Sequence, residues 1–187
     1  MKEDSDSVRS IKGHENFSWE TLGDIKEGRG DLGTEMPVLV YRLMQFTLLD
    51  VLSKEFGAKK AISFFKDAGF LAGTEFAKNV LNLNTDFSSF VVDLQKALES
   101  LKIGILRIEK FDNGSGKFVL TVEQDLDCSG LPVTEENICT YDEGFLSGIF
   151  NAYTGNQYDV KEVNCWANGD RVCRFSADVI GDSKKNL

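Results

Sequence analysis

Several residue types with distinctive chemistry are scarce in this sequence. Of its 187 residues, one is a histidine, His14, and two are prolines. His14 lies within residues 1–18, a polar stretch with too few apolar side chains to recover the entropy of being ordered. We predict a flexible arm there. A haem held by a proximal histidine is therefore not expected in the folded part of the chain.

Long apolar runs and clusters of basic residues are also missing. The most apolar helical segment, residues 36–52, is interrupted by Arg42, Gln45 and Asp50, and no leader pattern of charged then apolar residues is present. The formal net charge is −9, which repels phosphate backbones and anionic lipids. We therefore expect a cytoplasmic protein that binds neither nucleic acid nor membranes.

Familiar catalytic and output motifs cannot be found either. No GxGxxG segment follows a predicted strand, and there is no phosphate-binding loop, flavin motif or pair of nucleophile and base. Catalysis by this chain alone is not expected, and no catalytic or organic cofactor-binding residue is assigned. No helix-turn-helix is recognisable, so any signal would pass to a downstream signalling protein.

The residues that are present suit one folded domain. Hydrophobic residues make up 42% of the chain and include 14 Phe, enough for a sizeable core. Apolar residues at helical spacing, with stop and cap signals such as Gly57 and Asp86, predict helices, and period-two alternation predicts strands. The predicted helices cover residues 36–56, 58–81, 87–101 and 141–153, and the predicted strands cover residues 105–111, 117–124, 157–166 and 171–179.

This order of elements predicts an α+β fold, in which an antiparallel sheet of about four to five strands packs against helices in two layers. The predicted domain covers residues 19–180, and residues 181–187 are expected to form a solvated tail. In the second helix, Gly69 and Gly73 would allow another backbone to approach closely.

Cysteines supply the strongest local signal. Glu162 stands three residues before Cys165, and Cys173 follows across a predicted turn. Thiols stay reduced in the cytoplasm, and Zn²⁺ favours a sulfur-rich tetrahedral set, so these residues could hold a metal. Free cysteines also pack in cores as small apolar side chains, and spacing alone leaves both interpretations open.

The turn between the two strands restricts the metal interpretation. A two-residue turn at Asn168 and Gly169 would send the sulfurs of Cys165 and Cys173 to opposite faces of the sheet. We therefore predict a loop of three or five residues, so that both sulfurs converge and Cys139 reaches them from the start of the fourth helix. Cys128 is expected only to pack.

A further pattern extends over residues 20–178 and resembles the 4-vinyl-reductase-like, or hydrocarbon-binding, domain family. That family includes the sensor domains of regulators that respond to phenols and aromatic hydrocarbons. The residues that carry the resemblance are Cys139-x4-Gly144-Phe145-x-Ser147-Gly148, Gly155, Lys161-Glu162-Val163-x-Cys165 and Gly169-Asp170-x-x-Cys173, together with residues 22–24 and 36–39. The resemblance implies that Cys139, Glu162, Cys165 and Cys173 bind zinc, and four protein ligands would make that zinc structural.

The resemblance also implies a buried chamber for a hydrophobic ligand, similar to the lipid-holding cavity of the TRAPP trafficking subunits. The candidate lining residues are Phe90, Phe118, Phe145 and Val160, each of which could equally be an ordinary core residue. In the phenol sensors the polar ligand contact is a histidine, which this domain lacks. An aromatic hydrocarbon, a fatty chain or a tetrapyrrole-like molecule is therefore the expected ligand.

Three hypotheses for the function follow. The first is a sensor or carrier domain that binds a hydrophobic small molecule and is stabilised by zinc. The second is a vinyl-reductase-type enzyme or an accessory protein of tetrapyrrole metabolism, as the family name implies. The third is a protein-interaction scaffold like the trafficking subunits. Analogy with the family also implies a homodimer.

Overall fold

A computed structural model describes residues 17–112 and 114–180. The chain divides into two compact units between Glu35 and Met36. In the first unit, a short 3-10 helix covers Trp19–Leu22 and helix α1 covers Ile25–Gly28. Apart from residues 17 and 18, the predicted arm and tail lie outside the described residues, so the predicted domain limits stay a prediction.

The described part of the second unit is an α+β fold, as predicted from the sequence. Its helices and strands follow in the order α2 Val38–Phe56, α3 Ala58–Val80, α4 Phe87–Ser100, β1 Ile105–Asp112, β2 Lys117–Glu123, α5 Thr140–Thr154, β3 Gln157–Asn164 and β4 Cys173–Ile180. Across the described ranges, no helix combines the length and apolar content that a bilayer span requires.

The four strands form one antiparallel sheet in the order β1-β2-β4-β3. Leu120 of β2 pairs with Phe175 of β4, and Val160 of β3 pairs with Ala177 of β4. These four residues are completely buried. Alternate residues of the strands thus build the apolar face that the helices cover, while ion pairs such as Arg174 with Glu109 lie at exposed or half-buried positions.

Helices α3 and α5 pack with their backbones in direct contact. A Cβ at Gly69 or Gly73 would overlap the carbonyl oxygens of α5, and a Cβ at Gly144 or Gly148 would overlap those of α3. The predicted role of Gly69 and Gly73 is confirmed, and the approaching backbone is that of α5. This contact fixes the start of α5, where Cys139 lies, against α3.

Candidate metal centre

Four buried cysteines meet at one end of the sheet. Cys128 lies in the loop after β2, Cys139 precedes the first residue of α5, Cys165 follows β3, and Cys173 opens β4. Each is at most 1% exposed, and the four sulfur atoms lie within 4.8 Å of one another. Four buried thiols this close together could hold a metal ion.

The distances between the sulfurs allow a test of that fit. A tetrahedral zinc with Zn–S bonds of about 2.3 Å separates its sulfurs by roughly 3.8 Å. The Sγ of Cys139 lies 3.7 Å from that of Cys165 and 3.8 Å from that of Cys173. The Sγ atoms of Cys128 and Cys173 are closer, at 3.1 Å. The cluster therefore has the size and the donor atoms of a four-thiolate site.

Backbone hydrogen bonds fix three of these cysteines. The Oδ1 of Asp125 accepts hydrogen bonds from the N–H groups of Asp127 and Cys128, at 2.8 and 3.2 Å. The N–H of Cys165 donates to Asp170 Oδ2 at 3.3 Å, and the N–H of Cys139 donates to Glu162 Oε2 at 3.0 Å. Each loop is thus pinned by a carboxylate that does not need the metal.

The connection between β3 and β4 differs from the prediction. The expected loop of three or five residues is wrong, because residues 165–172 separate the strands and include a 3-10 helix at Trp166–Asn168. The sulfurs of Cys165 and Cys173 converge nevertheless. The reason is the strand register, in which Asn164 pairs with Arg174 after an irregularity that follows Glu162.

Glu162 occupies a different place from the fourth thiol. Its carboxylate is 8% exposed, contacts the backbone N–H of Cys139, and leaves Oε1 buried without a hydrogen-bond partner among the described residues. Burial, and to a smaller extent the nearby Cys165, raise the pKa of Glu162 to about 8. Glu162 is therefore close to the cluster, but Cys128, expected only to pack, completes the set of four close sulfurs.

The thiols influence one another's protonation. Hydrogen bonds from the other three sulfurs lower the pKa of Cys165. The same contacts, headed by Cys128, raise the pKa of Cys139. Without a metal, the cluster therefore favours one thiolate held by protonated neighbours. A bound cation would favour full deprotonation, because coordinated thiols lose their protons.

Three buried aspartates border the cysteines. Asp125 and Asp127 are each 3% exposed, and Asp142 of α5 is 9% exposed. Burial raises the pKa of Asp125 to about 6 and raises the pKa of Asp142 well above its ordinary value. The hydroxyl of Tyr41 donates to Asp127 Oδ1 at 2.7 Å, and Arg42 donates to backbone carbonyls of the same loop. Sequence patterns did not reveal this group.

The four predicted pocket residues lie in the core. Phe90, Phe118 and Val160 are at most 2% exposed and Phe145 is 9% exposed. The ring of Phe118 lies 4.2 Å from that of Phe150, measured between ring centroids, and Phe145 contacts Phe76 at 5.3 Å. None of the four lines the cavities described below, so their role in ligand binding stays a prediction.

Two neighbouring cavities lie between α2, α3 and the start of α5. The larger, about 290 Å³, is lined by Tyr41, Met44, Gln45, Leu48, Leu52, Phe64, Phe65, Ala68 and Tyr141. The smaller, about 150 Å³, shares Gln45, Phe65 and Tyr141 with it. Gln45 Oε1 is buried and has no hydrogen-bond partner among the described residues. The cavities therefore combine apolar walls with one free acceptor.

Sequence comparison relates the chain to proteins of known family. Residues 118–179 match the vinyl-4-reductase (V-4-R) domain family. An uncharacterized protein of Methanocaldococcus jannaschii is 26% identical over 156 residues, which are 83% of this chain and 85% of that protein. The matched segment includes β2, the metal-centre loops and β4.

Solved structures share the fold. The phenol-responsive sensory domain of the transcription activator PoxR, bound to phenol, superposes with a TM-score of 0.61 at 15% identity, over 79% of this chain and 78% of that one. A trafficking protein particle complex subunit 3 from Naegleria fowleri, covalently bound to palmitic acid, gives 0.62 at 8% identity, over 79% and 98%.

A vinyl-4-reductase family protein from Methanocaldococcus jannaschii gives a TM-score of 0.56 at 15% identity, over 80% of this chain and 85% of that one. These three neighbours are the kinds of protein that the motif pattern predicted. The resemblance to the 4-vinyl-reductase-like family is thus confirmed, and the part of the chain that matches it directly, residues 118–179, is a domain of that family.

Proposed function

We propose that the chain is a small-molecule sensor or carrier domain that binds a hydrophobic ligand between α2 and α3 and is stabilised by a structural zinc. The observation that carries the first part is the cavity of about 290 Å³, whose walls are mostly apolar. Its size is close to the lower end of small-molecule sites, which is roughly 300 Å³. A fold neighbour is a phenol-responsive sensory domain, which supports the same assignment.

The lining indicates the chemistry of the ligand. Apolar walls favour burial of an aromatic ring or a short aliphatic chain, because burial of apolar surface provides most of the affinity. The free Oε1 of Gln45 would accept a hydrogen bond, so a ligand with one hydroxyl or amine donor would leave no buried polar atom unpaired. This acceptor comes from α2, whereas the sequence offered no polar contact within the domain.

Ligand binding can be tested with phenol and a medium-chain alcohol as probes. We expect calorimetry on the purified chain to show saturable binding of at least one probe. Ala68→Trp, which fills the cavity, should weaken that binding at least 10-fold, whereas Ala58→Trp, at the first residue of α3, should leave it unchanged. Equal loss in both variants, or no binding by the native chain, would reject the proposal.

The structural zinc is supported by the four thiols and the distances between them. Cys128, Cys139, Cys165 and Cys173 would hold the ion, and a complete set of four protein ligands leaves no position for substrate. Zinc in such a site contributes free energy of folding by joining its ligands. Elemental analysis of the purified chain should find zinc at one or more atoms per molecule, and removal by a chelator should lower the melting temperature. An equally stable metal-free chain would contradict this.

Two proposals concern partners. Helix α2 has no buried residue and exposes several large apolar side chains, which supports the predicted homodimer. A sensor domain without its own output would signal through another protein, which we propose as the downstream partner. Both proposals, like the cytoplasmic location, go beyond the fold itself.

A further inference from the structure

A second group of metal-ligating atoms adjoins the four-cysteine cluster. One carboxylate oxygen of Asp125, one of Asp142 and the sulfur of Cys139 lie within 4.8 Å of one another. The distance from Cys139 Sγ to Asp125 Oδ1 is 3.9 Å. Cys139 is a member of both groups, so its sulfur lies between the other three cysteines and the two aspartates.

The orientation of the aspartates does not come from contacts with cations. The two backbone N–H groups that donate to Asp125 Oδ1 hold that carboxylate beside Cys139. No Lys or Arg in the described part of the chain forms an ion pair with Asp125 or Asp142. The nearby Arg42 donates instead to the carbonyl oxygens of Leu126 and Ser129.

Unpaired buried oxygens provide the second, independent observation. Oδ2 of Asp142 and Oδ2 of Asp127 are both buried and have no hydrogen-bond partner among the described residues. A buried carboxylate oxygen without a partner costs free energy, so such atoms in a folded protein call for an ion or a proton. One divalent ion at the four thiols would balance only part of the acidic charge gathered here.

We infer that Asp125, Asp142 and Cys139 form a second cation site, with the sulfur of Cys139 bridging it to the four-cysteine site. Two oxygens and one sulfur suit a borderline divalent transition metal such as Zn²⁺, Fe²⁺ or Co²⁺, whereas Mg²⁺ and Ca²⁺ require six or more oxygen ligands. Three protein ligands leave a fourth position open, unlike the closed set of four thiols. This inference rests on the proposed metal site, because the two share Cys139.

Cobalt binding provides the test. The purified full chain, stripped of metal, is titrated with Co²⁺, and bound metal is counted after equilibrium dialysis. We expect two equivalents. The first should produce thiolate-to-cobalt absorption, and the second should reduce the paramagnetic resonance signal per cobalt, because a bridging sulfur couples the two ions. This readout needs no variant.

Asp142→Asn should bind one equivalent and keep the thiolate absorption of the first. Asp178→Asn, the same change at an exposed position of β4, should bind two. Circular dichroism checks that both variants fold. One equivalent in the native chain, or two in Asp142→Asn, overturns the inference while leaving the proposed four-cysteine site intact. Absence of cobalt binding rejects both sites together.

Discussion

Cys128 and Glu162 are the two residues that compete for the fourth position at the metal centre. The sequence pattern favoured Glu162, whereas the structure places the sulfur of Cys128 3.1 Å from that of Cys173 and gives Glu162 a hydrogen bond to the backbone of Cys139. In this geometry, Glu162 supports a ligand instead of being one, as carboxylates next to metal sites commonly do.

A pair of variants separates the two assignments. We expect Cys128→Ser to lose most of its zinc and to lower the free energy of unfolding by about 3 kcal/mol or more, because metal binding is coupled to folding. Glu162→Gln should keep one zinc and the four-thiolate cobalt spectrum, with affinity reduced about 10-fold. The reverse pattern, in which the Glu162 variant loses metal and the Cys128 variant keeps it, would restore the predicted set.

Buried carboxyls should also make the stability of the metal-free chain depend on pH. Burial raises the pKa of Glu162 to about 8 and that of Asp125 to about 6. The folded chain then holds protons that the unfolded chain has released. The free energy of unfolding should therefore fall as pH rises from about 4.5 to 8.

Urea unfolding in the presence of a chelator, at several pH values, measures this slope. Glu162→Gln should flatten the part between pH 6 and 8, since it removes the group with the higher pKa. A free energy that rises with pH across the same window would contradict the assignment.

Residue-level foresight depended on the kind of signal each residue carries. Cys139, Cys165 and Cys173 stand in a spaced motif, and the structure brings their sulfurs together. Cys128 lies in an irregular loop without periodicity, so only the path of that loop reveals its place beside Cys173. Tertiary contacts that depend on a loop path cannot be read from local spacing.

At the scale of elements, periodicity was a good guide. Helices α2 to α5 and strands β1 to β4 lie within a few residues of their predicted limits, because apolar side chains recur at the period that each element buries. Turn chemistry was less reliable. Asn168 and Gly169 resemble a hairpin turn, but the segment forms a 3-10 helix that ends at Gly169, where φ is 93°.

The contact between α3 and α5 makes a prediction about glycine. In Gly73→Ala, the added methyl group would overlap the backbone of Phe145, so the helices must separate. We expect a loss of about 1–3 kcal/mol in the free energy of unfolding. Gly28→Ala in α1, where nothing lies within 4 Å of the new Cβ, should have little effect or stabilise slightly. Chemical denaturation of the two variants compares them, and similar losses would argue against tight packing.

For the whole molecule, the exposed apolar side chains of α2 bear on assembly. Leu39 is 68% exposed and Leu43 is 57% exposed, one helical turn apart on the same side of α2. We expect light scattering to find a dimer of the native chain and a monomer of the Leu39→Glu, Leu43→Glu double variant. Lys54→Glu, which changes the charge of α2 by the same amount, should remain dimeric. A native chain that is monomeric at every concentration would reject the homodimer.

The location of the cavity was the part of the whole-molecule picture that the sequence predicted least well. Phe90, Phe118 and Phe145 are aromatic and regularly spaced, which fits both a chamber and a packed core. They pack against other aromatic rings, and the two described cavities lie along α2 instead. Whether a space remains between two helices depends on how their side chains interdigitate, which a single sequence does not specify.

The interlocked glycines of α3 and α5 have a mechanical consequence for any ligand that enters beside α3. Because these two helices have no room to slide, widening the cavity would have to displace α2, which joins α3 through Gly57 alone. Gly57 has a φ of 83°, a conformation that suits a pivot between rigid segments. Ligand size would thereby be converted into the tilt of a single lever, and that tilt would be legible to whatever protein rests against it.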